Sequence, residues 1–122
     1  MRLAVYTGSV LALLPIVRFR VADTSMAPAL RPDDRLLIVR SQSARPGDVI
    51  VFRDPDAHAT FLLKRVDAIT SDGDVVVRGD NPNASRDSRH FGAVPRRLIF
   101  GRAVYRYLPS ERRGILRRLR VR

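Results

Sequence analysis

Residues Asp48 to Ile69, DVIVFRDPDAHATFLLKRVDAI, decide the fold class. Two runs within this stretch, 48–53 and 60–69, are rich in valine, isoleucine, leucine and phenylalanine, which favour β-strands. Between them lies RDPDAH, whose proline and aspartates are typical of a segment where the chain reverses. The stretch therefore predicts two consecutive strands joined by a turn.

Apolar runs of the same kind occur on both sides of this stretch. It is preceded by RLLIVR at Arg35–Arg40 and followed by DVVVR at Asp74–Arg78 and LIFGRAVYRYL at Leu98–Leu108. The turn sequences RPGD and SDGD separate the runs. The chain has 122 residues, enough for one modest core, and contains no internal repeat. We therefore predict a small single domain that is mainly β.

The composition narrows the chemistry that the chain can perform. The absence of cysteine excludes disulfides, thiolate nucleophiles and cysteine-ligated metal sites. His58 and His90 are the only histidines, so we expect neither a histidine-rich metal site nor any cofactor. Hydroxyl, carboxylate and amine groups remain as candidate catalytic groups.

The chain is strongly basic, with a net charge of +11 at pH 7. Such a charge suits nucleic acid, an anionic membrane surface or an acidic partner. The arginines are spread from Arg2 to Arg122, and no nucleic-acid-binding motif accompanies them. This distribution favours a solvated basic surface, and we expect no nucleic-acid partner.

Residues 1–19 form an apolar lead-in. Leu3 to Val17, LAVYTGSVLALLPIV, is a run of 15 uncharged residues between Arg2 and Arg18. A membrane-spanning helix needs about 20 apolar residues, and Pro15 disturbs this run near its end. The run predicts either a marginal membrane anchor or a buried lead-in element, and its basic flanks indicate no orientation.

Residues 110–122, SERRGILRRLRVR, form a basic tail after the central domain of residues 20–109. Ser110 is a candidate helix cap, and Ile115, Leu116 and Leu119 would share one helix face. The segment predicts a basic helix suited to an anionic lipid surface, with a solvated tail as the alternative.

Lys64 is the only lysine among 23 basic residues, and it lies inside the apolar run FLLKRV. Arginine effectively cannot lose its proton in a protein, whereas a lysine can. Burial among apolar groups can lower the pKa of a lysine from about 10.4 toward about 7, where it acts as a base. Strand alternation would place Leu62, Lys64 and Val66 on one inner face.

A base needs a nucleophile, and Ser25 in VADTSMAPAL is the candidate hydroxyl. It lies three residues before Pro28, where a strand-like segment breaks into a turn. A further polar loop, GDNPNASRDSR at Gly79–Arg89, combines a glycine turn with short polar side chains. Alone, Ser25 would more often be an ordinary turn serine, and such a loop would more often only close a turn.

Taken in order, these segments resemble the signal peptidase I family of serine proteases, which use a Ser/Lys dyad. The resemblance runs from about Arg20 to Leu108. Its four matching segments are SMAPAL, PGDVIVF, LLKRV, and GDNPNASRDSR followed by FG. It implies a fold of short coiled β-sheets, as in signal peptidases and the related repressor-type proteases.

The resemblance also implies a role for individual residues. Ser25 would be the nucleophile and Lys64 its general base, with Ser85 orienting the lysine. An ion pair between Asp87 and Arg89 would brace the site. The residues that match the supporting turns are Met26, Pro28, Gly79, Asp80 and Asn81.

Three features depart from the family pattern. Asp23 stands two positions before Ser25, where family members often have a small or hydroxyl residue, and a carboxylate there would repel a developing oxyanion. Thr24 is a candidate substitute donor. Asp33 stands where a glycine would usually precede Asp34, which predicts a change in one turn only. The lead-in is shorter than the membrane anchors of typical members.

The short lead-in, with GDNP and FGAVPRRLIFGR, resembles a compact branch, the nickel-type superoxide dismutase maturation proteases. The resemblance implies an endopeptidase that removes an N-terminal signal peptide or propeptide from a protein substrate, with small side chains beside the cut. We expect a monomer, and membrane association at the plasma membrane is favoured over a cytoplasmic location.

Three alternatives remain open from the sequence. A Ser-His-Asp hydrolase would use His58 or His90, although both lie among polar residues typical of a surface. A self-cleaving repressor-type protease would need a DNA-binding domain and a scissile Ala-Gly segment, and neither fits within the first 24 residues. A catalytically impaired basic module would instead bind membrane or a polyanion.

Overall fold

Antiparallel β-strands make up most of the regular structure in residues 3–5 and 15–118, which the computed structural model describes. The strands are β1 Leu3–Val5, β2 Ile16–Val21, β3 Arg35–Arg40, β4 Val49–Asp54, β5 Ala57–Ile69, β6 Val75–Arg78, β7 Ile99–Leu108 and β8 Gly114–Ile115. A four-residue helix, α1, spans Ser88–Phe91. Short 3₁₀ turns cover Pro82–Ala84, Arg96–Leu98 and Ser110–Arg112.

The strands form one sheet in the order β1-β2-β3-β7-β4-β5-β6, and β8 pairs with β7. The pair β4–β5 is the predicted hairpin, with Val51 opposite Leu63 and Ile50 opposite Lys64. Strand β7 lies between β3 and β4 and joins the two halves of the sheet. The prediction of a small, mainly β domain is confirmed.

The two faces of the β4–β5 hairpin enter different apolar clusters. Val49, Val51 and Leu63 pack in one cluster with residues of β2 and β3. Ile50, Phe52, Leu62 and Val66 pack in the other with residues of β6. Because both faces are covered, the hairpin sequence is almost continuously apolar, which made it recognisable.

Strand β2 was missed, although it carries a period-2 signal. Val17, Phe19 and Val21 are buried and alternate with Arg18 and Arg20. The strand begins inside the apolar run assigned to the lead-in and crosses the predicted boundary between residues 19 and 20. A continuous apolar stretch before the alternation hid its start.

Only part of the lead-in is described by the structure. Leu3–Val5 pairs with β2, while residues 6–14 lie outside the described residues. Within the described part of the chain, no helix has the length and apolar character needed to cross a membrane.

The predicted basic helix at residues 110–122 is wrong as far as residue 118. This segment forms a 3₁₀ turn and then the short strand β8, where Gly114 pairs with Arg106. Its arginines bind distant carboxylates: Arg112 donates to Asp34 and Arg118 to Asp48. Tertiary ion pairs and strand pairing therefore override the helical spacing, and residues 119–122, including Leu119, lie outside the described residues.

Candidate active site

Ser25 lies in the loop after β2 and is fully buried. Its carbonyl oxygen accepts a hydrogen bond from the Asn81 N–H at 2.9 Å, and the Asn81 side chain donates to the Thr24 carbonyl at 3.2 Å. Its own N–H donates to Asp23 Oδ1 at 3.0 Å. The turn at Asn81 therefore fixes the backbone around this hydroxyl.

Met26 and Pro28 complete the loop around Ser25. Met26 is fully buried in the apolar core, and its sulfur accepts the Asp80 N–H at 3.4 Å. Pro28 is exposed and follows a cis peptide bond. Packing of Met26 thus ties the serine loop to the core on one side and to the turn at residues 79–81 on the other.

Lys64 lies in the middle of β5 and is also 0% exposed. Alternation along β5 puts it on the face of Leu62 and Val66, both of which are buried. Burial lowers its pKa below the usual range, because an apolar environment disfavours the charged amine. The carboxylates of Asp23 and Asp87 oppose this shift, and the Arg86 charge adds to it.

The Ser25 hydroxyl and the Lys64 amine share an unusual property. Among the described residues, only three buried side-chain nitrogen or oxygen atoms lack a hydrogen-bond partner, namely Ser25 Oγ, Lys64 Nζ and Arg20 Nε. The two groups therefore do not form a hydrogen bond with each other in this structure. Buried polar groups are normally paired, so these two groups mark a candidate site.

Asp87 organises the polar loop that follows β6. Its Oδ2 accepts hydrogen bonds from the Gly79 N–H at 3.0 Å and the Ser85 hydroxyl at 3.3 Å, and its Oδ1 accepts Arg89 Nε at 2.9 Å. Burial alone would raise the pKa of Asp87, but the hydrogen bonds from Arg89 and from the Gly79 N–H outweigh it and lower the pKa to about 2. The Ser85 hydroxyl is bonded to this carboxylate and not to Lys64.

Gly79 brings the serine loop and the polar loop into contact. A Cβ atom at this position would lie 2.9 Å from the Ser25 carbonyl oxygen and would overlap the Ser85 side chain. No side chain fits there, so glycine permits the close approach of the two loops. Ser25, Gly79 and Ser85 are therefore neighbours in space.

Arg65 is a site residue that the sequence analysis missed. It makes a two-pronged ion pair with Asp80, both N···O distances being 2.8 Å, and also donates to the Gly47 carbonyl at 2.9 Å. It is nearly buried, and it fastens β5, beside Lys64, to the turn that holds Ser25. A charged residue next to the lysine in an apolar run was the available signal.

Arg86 was also missed. Its guanidinium binds Asp54 and Asp56 and lies close enough to Lys64 to lower the pKa of the amine. These two carboxylates raise the pKa of Arg86, with the Asp54 hydrogen bond contributing most. A fixed positive charge thus borders the amine.

The histidines occupy peripheral positions. His58 is exposed, and His90 Nδ1 accepts the Asp87 N–H at 3.2 Å as part of the cap of helix α1. Within residues 3–5 and 15–118, no group of three or more histidine, aspartate or glutamate side chains is arranged to hold a metal ion.

Comparison with known proteins identifies the family of the chain. The family model described as signal peptidase, peptidase S26, matches residues 1–72 and 67–108. Subunit 1b of the mitochondrial ATP-independent inner membrane protease of Arabidopsis thaliana is 35% identical over 118 residues, covering 75% of this chain and 70% of that protein. Subunit 1 of the mitochondrial inner membrane protease of Xenopus tropicalis is 34% identical, with coverage of 76% and 70%.

A bacterial relative extends the same similarity. The probable signal peptidase I-1 of Synechocystis is 33% identical over 88 residues, which cover 67% of this chain and 45% of that protein. The family match includes Ser25, Lys64 and the loop at residues 79–89. On these matches, the chain belongs to the signal peptidase family of serine proteases, peptidase S26.

Proposed function

We propose that this protein is a serine endopeptidase in which Ser25 is the nucleophile and Lys64 the general base. The observation that carries the proposal is the pair of buried groups without described hydrogen-bond partners, Ser25 Oγ and Lys64 Nζ. The carboxylate of Asp23 accepts the backbone N–H of Ser25 and acts electrostatically on the Lys64 amine. Catalytic hydrogen bonds often close only when substrate binds, so the open pair is compatible with this role.

The proposed reaction begins when neutral Lys64 accepts the proton of the Ser25 hydroxyl as Oγ attacks the scissile carbonyl carbon. The tetrahedral intermediate collapses as the protonated amine gives its proton to the leaving nitrogen, which departs as a new N-terminus. Lys64 then takes a proton from water as the water oxygen attacks the acyl carbon, and the protonated amine returns that proton to Ser25 Oγ as the acyl–oxygen bond breaks and the acid product leaves. Each step requires a lysine that can be neutral near physiological pH.

The environment of Lys64 supports this requirement. Burial lowers the pKa of the amine, and the ion pair of Asp87 with Arg89 reduces the opposing attraction of the Asp87 carboxylate. Ser85 donates to the same carboxylate and would act as a positioning residue for this cluster. The positive charge of Arg86 also lowers the pKa of Lys64.

The names of the relatives support a proposal for the substrate class. The relatives carry names of inner membrane proteases and signal peptidases, which favours an N-terminal signal segment of a precursor protein as the substrate. The same names favour work at a membrane. The maturation-protease branch predicts instead a single propeptide on one soluble partner.

The test is mapping of protein N-termini in cells that carry either the wild-type chain or Ser25→Ala. The variant should accumulate uncleaved precursors, because the attacking oxygen is gone. Ser110→Ala is the matched control, since this exposed hydroxyl bonds only to the neighbouring Glu111 among the described residues. A set of unrelated precursors would indicate signal-peptide processing, and one precursor would indicate a dedicated maturation protease.

The same experiment tests the opposing idea of a catalytically impaired basic module. Such a module would leave the N-termini identical in wild type and Ser25→Ala, and would bind polyanions in a salt-sensitive way. Identical N-termini, together with full cleavage of a precursor by purified Ser25→Ala, would overturn the assignment of the nucleophile.

A further inference from the structure

The side chain of Asp23 accepts a hydrogen bond from the Ser25 N–H, the backbone group that the proposed reaction needs to bind the oxyanion. The N–H of a nucleophilic serine normally donates to the oxyanion that forms on the scissile carbonyl. Here the Ser25 N–H already donates to Asp23 Oδ1 at 3.0 Å. A single N–H cannot serve a carboxylate and an oxyanion equally well, so one of the two acceptors must give way.

The Asp23 side chain is a charged competitor. Burial would raise its pKa, but the hydrogen bond from the Ser25 backbone and further interactions outweigh burial and lower the pKa of this carboxyl. Asp23 is therefore an anion at neutral pH, and it cannot serve as a protonated oxyanion donor. A second negative charge developing nearby would be repelled.

The same charge acts on the base. Asp23 and Asp87 both favour the protonated form of Lys64, whereas burial and the Arg86 charge favour the neutral form. An anionic Asp23 thus acts against both halves of the reaction, the oxyanion and the neutral amine.

We propose that Asp23 is a built-in brake, a positioning residue whose carboxylate holds the Ser25 N–H until the substrate backbone displaces it. This inference rests on the function proposed above. In the resting state that it implies, the Ser25 N–H is bonded to Asp23 and is not available to an oxyanion. Displacement by substrate moves the carboxylate away from the Ser25 N–H and frees that donor as the scissile carbonyl arrives.

The experiment compares wild type with Asp23→Asn and Asp23→Ser in cleavage of a precursor peptide across a range of pH. Asp23→Asn removes the charge at nearly constant shape, and Asp23→Ser also removes the bulky acceptor. Asp23→Ser should increase kcat about tenfold or more, since a single oxyanion donor is worth about 10²–10³ in rate. Asp23→Asn should increase it less, because its amide oxygen still accepts the Ser25 N–H while the repelling charge is gone. The acidic limb of the rate profile should move to lower pH, because the protonated amine loses an attractive charge.

A readout independent of activity follows the Ser25 amide itself. Its hydrogen exchange should be slow in the wild-type protein and faster in Asp23→Ser, because the donor loses its acceptor. Asp72→Asn is the matched control: it removes an exposed carboxylate from a surface turn and should change neither the amide nor the pH profile.

The two proposals fail differently. If Ser25→Ala retains activity, the proposed function fails whatever Asp23 does. If Ser25→Ala is inactive while both Asp23 variants fold normally and show unchanged or lower kcat at an unchanged pH profile, the brake is overturned alone. A wild type that cleaves slowly and an Asp23→Ser that cleaves fast would support both.

Discussion

Two turns of the molecule share the sequence pattern Arg-Pro-x-Asp, one at residues 31–34 and the other at residues 45–48. In each turn the aspartate side chain accepts the N–H of the leading arginine at 2.9 Å. In each, the third residue donates its N–H to a strand carbonyl at 2.8 Å, that of Val21 in the first turn and Val66 in the second. The aspartate carbonyl then accepts the N–H of the same valine.

The two turns therefore anchor the two strands that carry the proposed chemistry. Val21 lies four residues before Ser25, and Val66 lies two residues after Lys64. They differ at the third position, where the backbone is left-handed in both, with φ of 70° at Asp33 and 92° at Gly47. Only glycine adopts this conformation without cost, so the turn on the serine side carries a strain that the turn on the lysine side lacks.

The largest expected effect comes from Lys64→Met, which removes the amine while leaving its anchoring turn intact. Loss of the general base should lower kcat/KM by about 10²–10⁴-fold. The free energy of unfolding should increase at neutral pH, because methionine fills the site without a buried charge. Peptide cleavage measures the first effect and urea denaturation the second.

The pH dependence of that stability difference has a definite sign. Burial lowers the pKa of Lys64 in the folded protein, whereas in the unfolded chain it stays near the usual 10.5. Between the two values the unfolded chain binds the extra proton, so wild-type stability rises with pH across that window. The advantage of Lys64→Met should therefore be complete below the folded pKa and shrink as pH approaches 10.5. An advantage that grows with pH would contradict a buried, destabilised ammonium.

The next-largest effect comes from substitutions at the third residue of each turn. Gly47→Ala should destabilise the protein by about 1–2 kcal/mol, because alanine must adopt a left-handed backbone. Asp33→Gly should stabilise it by about 0.5 kcal/mol by releasing that strain. Gly114→Ala is the control, since nothing lies within 4 Å of the added methyl group. Chemical denaturation measures all three, and equal effects at positions 33 and 47 would remove the distinction between the turns.

The smallest effect concerns the arginines that form ion pairs with the aspartate of each turn. Asp48 receives Arg118 at 2.7 Å, whereas Asp34 receives both Arg112 at 2.8 Å and Arg106 at 3.3 Å. Arg118→Ala should destabilise by about 0.5–1 kcal/mol, because a nearly buried carboxylate loses its charged donor. Arg112→Ala should cost less, since Arg106 remains. A larger loss from Arg112→Ala in thermal denaturation would show that the second arginine does not compensate.

The β4–β5 hairpin was predictable because both of its faces are buried, so nearly every residue from Val49 to Phe52 and from Leu62 to Val66 reports on the core. The C-terminal segment was not, because its conformation depends on where Asp34 and Asp48 lie in space. Local spacing contains no information about such partners.

The features of the candidate site also differ in how far the sequence could predict them. Ser25, Lys64 and the loop at residues 79–89 were proposed as site residues from residue type and order, since these segments carry the family likeness. The ion pair of Arg65 with Asp80 depends on two segments meeting in three dimensions. The hydrogen bond from the Ser25 N–H to Asp23 is local, but a carboxylate two residues before a serine does not by itself specify that geometry.

Because the chain's single lysine is completely buried, the reactivity of its amine reports on the conformation of the protein. An amine-reactive reagent can modify Lys64 only when β5 is uncovered, and mass spectrometry separates that adduct from one at the chain terminus. The rate of labelling at Lys64 therefore measures how often the core around β5 opens in solution, without any introduced probe.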